Sequence, residues 1–194
     1  MTGGLIAFPL TAVLWFAVRH AVPALTGMTD PLARLIFALQ CCGVAILFCF
    51  ATGIEAVAHE RLSSAGIDPL LGYQSRRLTI NLRYLQNTLE QLVLFVPGLL
   101  MLAVDCRDGD SMRAVVATAV VWIVARGAFW IGYHYGSSWR VVGLGGMVQS
   151  LIVLLYVSSR FGFDIAGPVG AVLPLVLFAS VEIWLVWATW SPAR

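Results

Sequence analysis

Six stretches of the chain are almost wholly apolar, with polar residues gathered between them. They run at about 5–25, 32–58, 80–104, 113–134, 141–159 and 169–190, each near the ~20 residues that an α-helix needs to cross a bilayer. The borders carry helix signals. Thr29-Asp30-Pro31 offers a cap and then a proline suited to the first turn of the second segment. Asp110-Ser111 precedes the fourth segment and Gly167-Pro168 the sixth, while Gly136-Ser137-Ser138 predicts the turn between the fourth and fifth. The first segment is the least regular. Pro9 and Pro23 lie inside it and Arg19 and His20 interrupt it, so spanning, lying in the interface and kinking all remain open. The pattern predicts an all-α integral membrane protein.

Composition strengthens that reading. The 194 residues are 60% hydrophobic and only 11% charged, with a mean hydropathy of +0.88, where a soluble domain carries about 25% charged residues. The chain has no lysine. Arginine supplies every basic side chain, and its planar fork holds carboxylates bidentately. A net charge of +2 without a long basic run argues against a nucleic-acid partner. The N-terminus lacks a positive leader region and a small-residue cleavage site, so residues 1–25 are read as mature protein. Cys41, Cys42, Cys49 and Cys106 form no zinc or redox motif and read as small buried hydrophobes.

The longest polar connection, 59–79, shares a side with Arg61, Arg76, Arg77, Arg83, Arg126, Arg140 and Arg194 if six segments span. Arg19, Arg34, Arg107, Arg113 and Arg160 fall on the other side. Counting positive charges places the 59–79 loop in the cytoplasm by a narrow margin.

Chemistry concentrates in two clusters. The third segment opens with Arg83-Tyr-Leu-Gln-Asn87-Thr-Leu-Glu90, where Arg83, Asn87 and Glu90 at i, i+4 and i+7 share one helix face. Charges near lipid are costly and usually face a protein interior or a watery cavity. The fourth segment ends with Arg126-Gly-Ala-Phe129-Trp-Ile-Gly132-Tyr133, and Arg140 follows the turn. Arg126 and Tyr133 again share a face, at the same membrane side as the first cluster. Such a set suits a peptide thiol: arginines match carboxylates, Glu90 matches an ammonium, and a nearby cation favours the thiolate. The same residues could instead form an internal ionic network that only fixes helix packing, and the aromatics an interfacial belt.

The two clusters together resemble the signature of the MAPEG family, the membrane-associated proteins of eicosanoid and glutathione metabolism. Arg83, Asn87 and Glu90 match its second-helix pattern, and Arg126, Phe129, Gly132 and Tyr133 its third. The resemblance covers about 32–160 and implies a MAPEG-like four-helix transmembrane core; outside it, the apolar pattern adds an N-terminal segment in 1–31 and a further transmembrane helix in 161–194. The resemblance implies a membrane-embedded glutathione-dependent transferase or peroxidase acting on lipophilic electrophiles. Glutathione is then the thiol co-substrate, Arg140 the thiolate-stabilising catalytic residue, and Arg83, Asn87, Glu90, Arg126 and Tyr133 its binding residues. It also implies a homotrimer in the lipid bilayer with the active site toward the cytoplasm; the membrane is expected to be a bacterial inner (plasma) membrane. Three positions depart from the pattern. Phe129 lacks a hydroxyl common in the family, Val93 stands where a proline is common, and Gln91 where some members have an aromatic.

Other readings have less behind them. A non-catalytic membrane scaffold or lipid-binding protein of the same fold stays open. A transporter using Glu182 has no support from internal repeats. His59 and His134 lack a coherent ligand set, so no metal is predicted. Gly143-Leu-Gly145-Gly146 has no preceding strand and reads as a close helix contact rather than a nucleotide loop.

Overall fold

The apolar segments form long helices in the computed structural model, which describes residues 2–136, 141 and 143–190, with side chains from residue 7 onward within these. Among these residues five helical stretches follow one another: α1 (Thr2–Ala21), α2 (Pro31–Leu62), α3 (Arg76–Asp105), α4 (Arg113–Tyr135) and α5 (Leu144–Trp190), the last made of two helices across a break. Among the described residues there is no strand, and α2 to α5 are each long and apolar enough to cross a membrane. In lipid every backbone polar group must be satisfied within the protein, which leaves helices as the economical solution for such segments. The protein is an all-α integral membrane protein.

The predicted punctuation is found. Asp30 caps α2, its carboxylate accepting from the Leu32 and Ala33 amides at 3.1 and 3.3 Å ahead of a first-turn proline. α1 ends at Ala21, just before Pro23, and runs through Pro9. Ser75 caps α3 by accepting from the Leu78 amide at 3.0 Å, and α3 continues through Pro97. Gly136 ends α4 at φ +149°; Ser137 and Ser138, the rest of the predicted turn, lie outside the described residues.

The fifth and sixth segments form two helices within Leu144–Trp190, divided at Ala166 (φ −135°) and Gly167 (φ +60°), where Gly167-Pro168 was expected to separate them. A left-handed φ there suits glycine. The backbones of Gly162 and Gly170 touch, so the chain doubles back at this break. The chain divides into two compact units, Met1–Leu151 and Ile152–Arg194, and the break with its Gly162–Gly170 contact belongs to the second. Pro174 and the exposed Glu182 lie in the same unit.

Within the first unit the core lies between α2, α3 and α4. Phe95 stacks on Trp122 at 4.4 Å and Tyr84 on Trp130 at 4.7 Å. Lipid tails supply no hydrophobic drive between helices, so such packing and interhelical hydrogen bonds hold the bundle. α1 rests on α4, where the Trp15 indole donates to Thr118 Oγ1 at 3.1 Å. The start of α5 packs through its glycines: Gly143 touches Phe129 and Gly145 touches Thr11, and a Cβ on Gly146 would lie 2.9 Å from that of Ala125. Gln149 Nε2 donates to the Thr118 carbonyl at 2.7 Å. The glycine cluster thus serves close helix contact.

α2 contains one irregular turn. Between Pro31–Ala45 and Thr52–Leu62 the residues Ile46–Ala51 form a π-turn. This wider turn loosens backbone carbonyls, and the Tyr84 hydroxyl donates to the Cys49 carbonyl at 3.0 Å. Gly53 leaves room for the same ring, since a Cβ there would stand 3.1 Å from Tyr84. Cys42, Cys49 and Cys106 are buried and Cys41 is half-buried.

At the far end of α3, buried Arg34 donates to the carbonyls of Ala103 (3.3 Å), Met28 (3.1 Å) and Thr29 (3.0 Å). A cation on terminal carbonyls complements the helix dipole. The following turn is tied by Asp108, which accepts from the Ser111 amide and hydroxyl, both at 2.8 Å. Those bonds hold the Asp108 carboxyl below its ordinary value of 3.8.

Candidate functional site

The Arg83/Asn87/Glu90 stripe is not buried evenly. On a wheel of about 100° per residue, Arg83 and Glu90 lie within roughly 20° of each other, and Asn87 lies about 40° from Arg83 toward Tyr84, Thr88 and Gln91. The fold follows this division. Tyr84, Thr88, Gln91 and Phe95 are buried against the bundle, Asn87 is half-buried, and Arg83 and Glu90 are exposed. Glu90 accepts from Gln86 one turn earlier at 3.2 Å.

Arg126 connects the two predicted clusters. It is fully buried between α3 and α4. Its Nη1 donates to Asn87 Oδ1 at 3.0 Å and its Nη2 to Thr88 Oγ1 at 2.8 Å. Thr88 passes its own hydroxyl proton back to the Tyr84 carbonyl at 2.7 Å, and Gln91 Nε2 donates to Asn87 Oδ1 at 3.3 Å. The guanidinium lies 4.4 Å from the Phe129 ring centre and 5.2 Å from that of Tyr84, so aromatic faces help to hold the charge. No carboxylate pairs with Arg126 among the described residues. Phe129, where a hydroxyl was expected to be missed, supplies this cation–π contact.

Tyr133 is half-buried and meets Phe129 edge-on at 5.4 Å. Arg140 lies outside the described residues. The structure therefore brings together Asn87 and Arg126, and leaves Arg83 and Glu90 on the outward face of α3. Thr88, Tyr84 and Gln91 complete the network but stand outside the predicted set. Their signal in the sequence was small polar or amphipathic residues one step inward from the charged stripe.

A second polar region lies at the end of α3 nearer the 59–79 loop. A cavity of about 300 Å³ is lined by His59, Glu60, Arg77, Asn81, Trp130 and His134, among others. Its groups are mostly engaged with each other. Glu60 accepts from Ser75 Oγ at 2.9 Å and meets Arg77 at 3.4 Å. Asn81 accepts from the Trp130 indole at 3.0 Å and donates to the Ala56 carbonyl at 3.4 Å. These bonds bind the ends of α2, α3 and α4 together and fix the height at which Asn87 meets Arg126. Among the described residues no group of three or more His, Cys, Asp or Glu side chains is placed to hold a metal.

The family model described as "MAPEG family" matches residues 35–159. This stretch holds both polar clusters and most of α2 to α4, and the chain belongs to that family. No curated protein and no solved structure matches it.

Proposed function

We propose, taking membership of the MAPEG family as the premise, that this membrane protein uses glutathione to conjugate or reduce lipophilic electrophiles. One observation carries the reading. Arg83 and Glu90, opposite charges on the outward face of an apolar helix, flank an Asn87 that is held from inside by buried Arg126. Charges on a spanning helix call for a polar ligand or a protein neighbour rather than lipid. A tripeptide with two carboxylates and an ammonium meets that need: Arg83 takes a carboxylate, Glu90 the ammonium, Asn87 a carbonyl or carboxylate, and Tyr133 donates a further hydrogen bond. Neighbouring copies in a homotrimer cover the α3 face and close the site. The membrane is the plasma membrane, and the site opens toward the cytoplasm, the side of the arginine-rich 59–79 loop.

Arg140 stabilises the thiolate. The thiol, ordinarily near pKa 8.5, gives up its proton more readily beside a cation. In conjugation the thiolate sulfur bonds to the electrophilic atom, and the displaced electron pair leaves with the departing group or stays on the adduct. In reduction of a hydroperoxide the sulfur takes the terminal oxygen, and the alkoxide leaves and is protonated to the alcohol. A second glutathione thiol then displaces water from that sulfur to give the disulfide. A lipophilic acceptor reaches the sulfur from the bilayer.

Purified protein in nanodiscs tests this directly. Glutathione is expected to bind by calorimetry, its thiolate absorbance to appear near neutral pH, and Arg140→Ala to abolish that absorbance while leaving binding measurable. A bound thiol with the pKa of free glutathione would overturn the mechanism. Absence of binding, together with loss of assembly in Glu90→Ala, would favour a non-catalytic scaffold or lipid-binding role.

A further inference from the structure

The network around Arg126 has a direction as well as a set of contacts. A guanidinium only donates hydrogen bonds. Asn87 must therefore present its oxygen to Arg126 Nη1, and its amide nitrogen is forced to the other side. Gln91 reinforces this choice by donating to the same oxygen. Thr88, accepting from Nη2, must turn its proton toward the Tyr84 carbonyl. One buried cation thus fixes the donor–acceptor sense of every side chain around it. Asn87 Nδ2 makes no hydrogen bond among the described residues and does not count among the buried unpartnered atoms, so it is open at the edge of the Arg83/Glu90 face. Gln91 Oε1 and Arg126 Nε, by contrast, are buried and unpartnered, which marks the interior as closed to exchange of roles.

We infer that Arg126 is a positioning residue: it sets the polarity of the α3 network and holds Asn87 with its amide nitrogen outward, as a fixed donor to an acceptor on the bound tripeptide. The inference rests on the glutathione reading above and deepens it. Arg126 acts through Asn87 and does not touch the ligand. A fixed donor favours a carbonyl or carboxylate oxygen at that point and rejects a ligand that presents an N–H there.

Calorimetry with glutathione on the reconstituted full-length protein separates the roles. Asn87→Asp keeps an acceptor for Arg126 but has no N–H, and its affinity should fall about tenfold, the worth of one good hydrogen bond, with no loss of melting temperature. Arg126→Lys still only donates and should stay within about threefold of wild type. Arg126→Gln can donate or accept, lets the Asn87 amide turn over, and should lose about tenfold. That loss should be the same for glutathione with esterified carboxylates. A loss that vanishes on esterification would make Arg126 a direct charge partner and overturn the inference, as would unchanged affinity in Asn87→Asp or equal losses in the Lys and Gln variants.

If wild type binds no glutathione, the functional reading fails by itself, and the positioning role is read without ligand. In protein carrying isotope-labelled asparagine, the Asn87 side-chain amide should give one sharp NMR signal pair in wild type and Arg126→Lys. In Arg126→Gln it should be doubled or broadened. One sharp pair in Arg126→Gln would overturn the positioning role.

Discussion

The inward and outward faces of α3 between Arg83 and Phe95 are built in opposite ways. Inward, Tyr84, Thr88 and Phe95 are buried and tied to α2 and α4 by hydrogen bonds and ring stacking, and buried Gln91 bonds back to Asn87. Outward, Arg83, Gln86, Glu90 and Val93 are exposed. The inner face is bonded within the chain, save for the buried and unpartnered Gln91 Oε1 and Arg126 Nε. The outer face carries Arg83 and Glu90, neither of which forms a salt bridge among the described residues. Helix packing and exposed charge are thus separated by about a third of a helical turn, with half-buried Asn87 standing on the boundary.

The largest effect that would break this contrast comes from the inner face. Arg126→Met removes two charge-assisted hydrogen bonds and leaves Asn87 and Thr88 without their donor. It should cost roughly 3 kcal/mol, at about 1.5 for each bond, in denaturant unfolding in nanodiscs. A cost near zero would mean that the inner face is not what holds α3 to α4. Next, Thr88→Val deletes one of those bonds at nearly constant shape and should cost about 1.5 kcal/mol by the same measurement.

The outer face should behave differently. Arg83→Gln and Glu90→Gln should change protomer stability by less than about 0.5 kcal/mol, as exposed substitutions do, yet weaken glutathione affinity and assembly as read by calorimetry and native mass spectrometry. Destabilisation of the protomer on the scale of Arg126→Met would erase the distinction between the faces.

The smallest effect is a control lying on neither face. The Asp108 carboxyl is held low by the Ser111 amide and hydroxyl. A carboxyl with a lowered folded pKa adds stability above its unfolded value, and that stability is lost as pH falls through the folded one. Thermal melts should therefore show a slight decline below the ordinary value of 3.8, absent in Asp108→Asn, with the Arg126 network unaffected.

Much of this was legible in the sequence where the cause is local. Thr29-Asp30-Pro31 and Gly167-Pro168 mark a helix start and a break because capping and left-handed φ depend on residues within a few positions. The pairing of Asn87 with Arg126 was also within reach, since both carry polar atoms at matching membrane depth. What could not be read is rotation. Spacing of i, i+4 and i+7 places three residues on one broad face, but which edge of that face turns inward is set by packing of Phe95 on Trp122 and Tyr84 on Trp130. The same reason hides Thr88 and Gln91, whose importance comes from a neighbouring helix. Arg34 was counted only as a charge, because its bond to the Ala103 carbonyl crosses 69 positions of chain and its bonds to Met28 and Thr29 depend on how the loop before α2 turns back.

The π-turn at Ile46–Ala51 has a consequence for the history of α2. A turn closed by i→i+5 bonds holds one residue more than an α-turn, so it is equivalent to a single insertion carried inside a helix. Residues after it are rotated by about 100° relative to an uninterrupted helix. That rotation brings Gly53 beneath the Tyr84 ring, and the turn itself holds the Cys49 carbonyl that accepts from the Tyr84 hydroxyl. Removing one residue between Ile46 and Ala51 would restore a regular helix and turn Gly53 away from Tyr84. In this family member, an alignment gap of one position in α2 would therefore mark a change in how α2 grips α3, even where every residue of the polar network is retained.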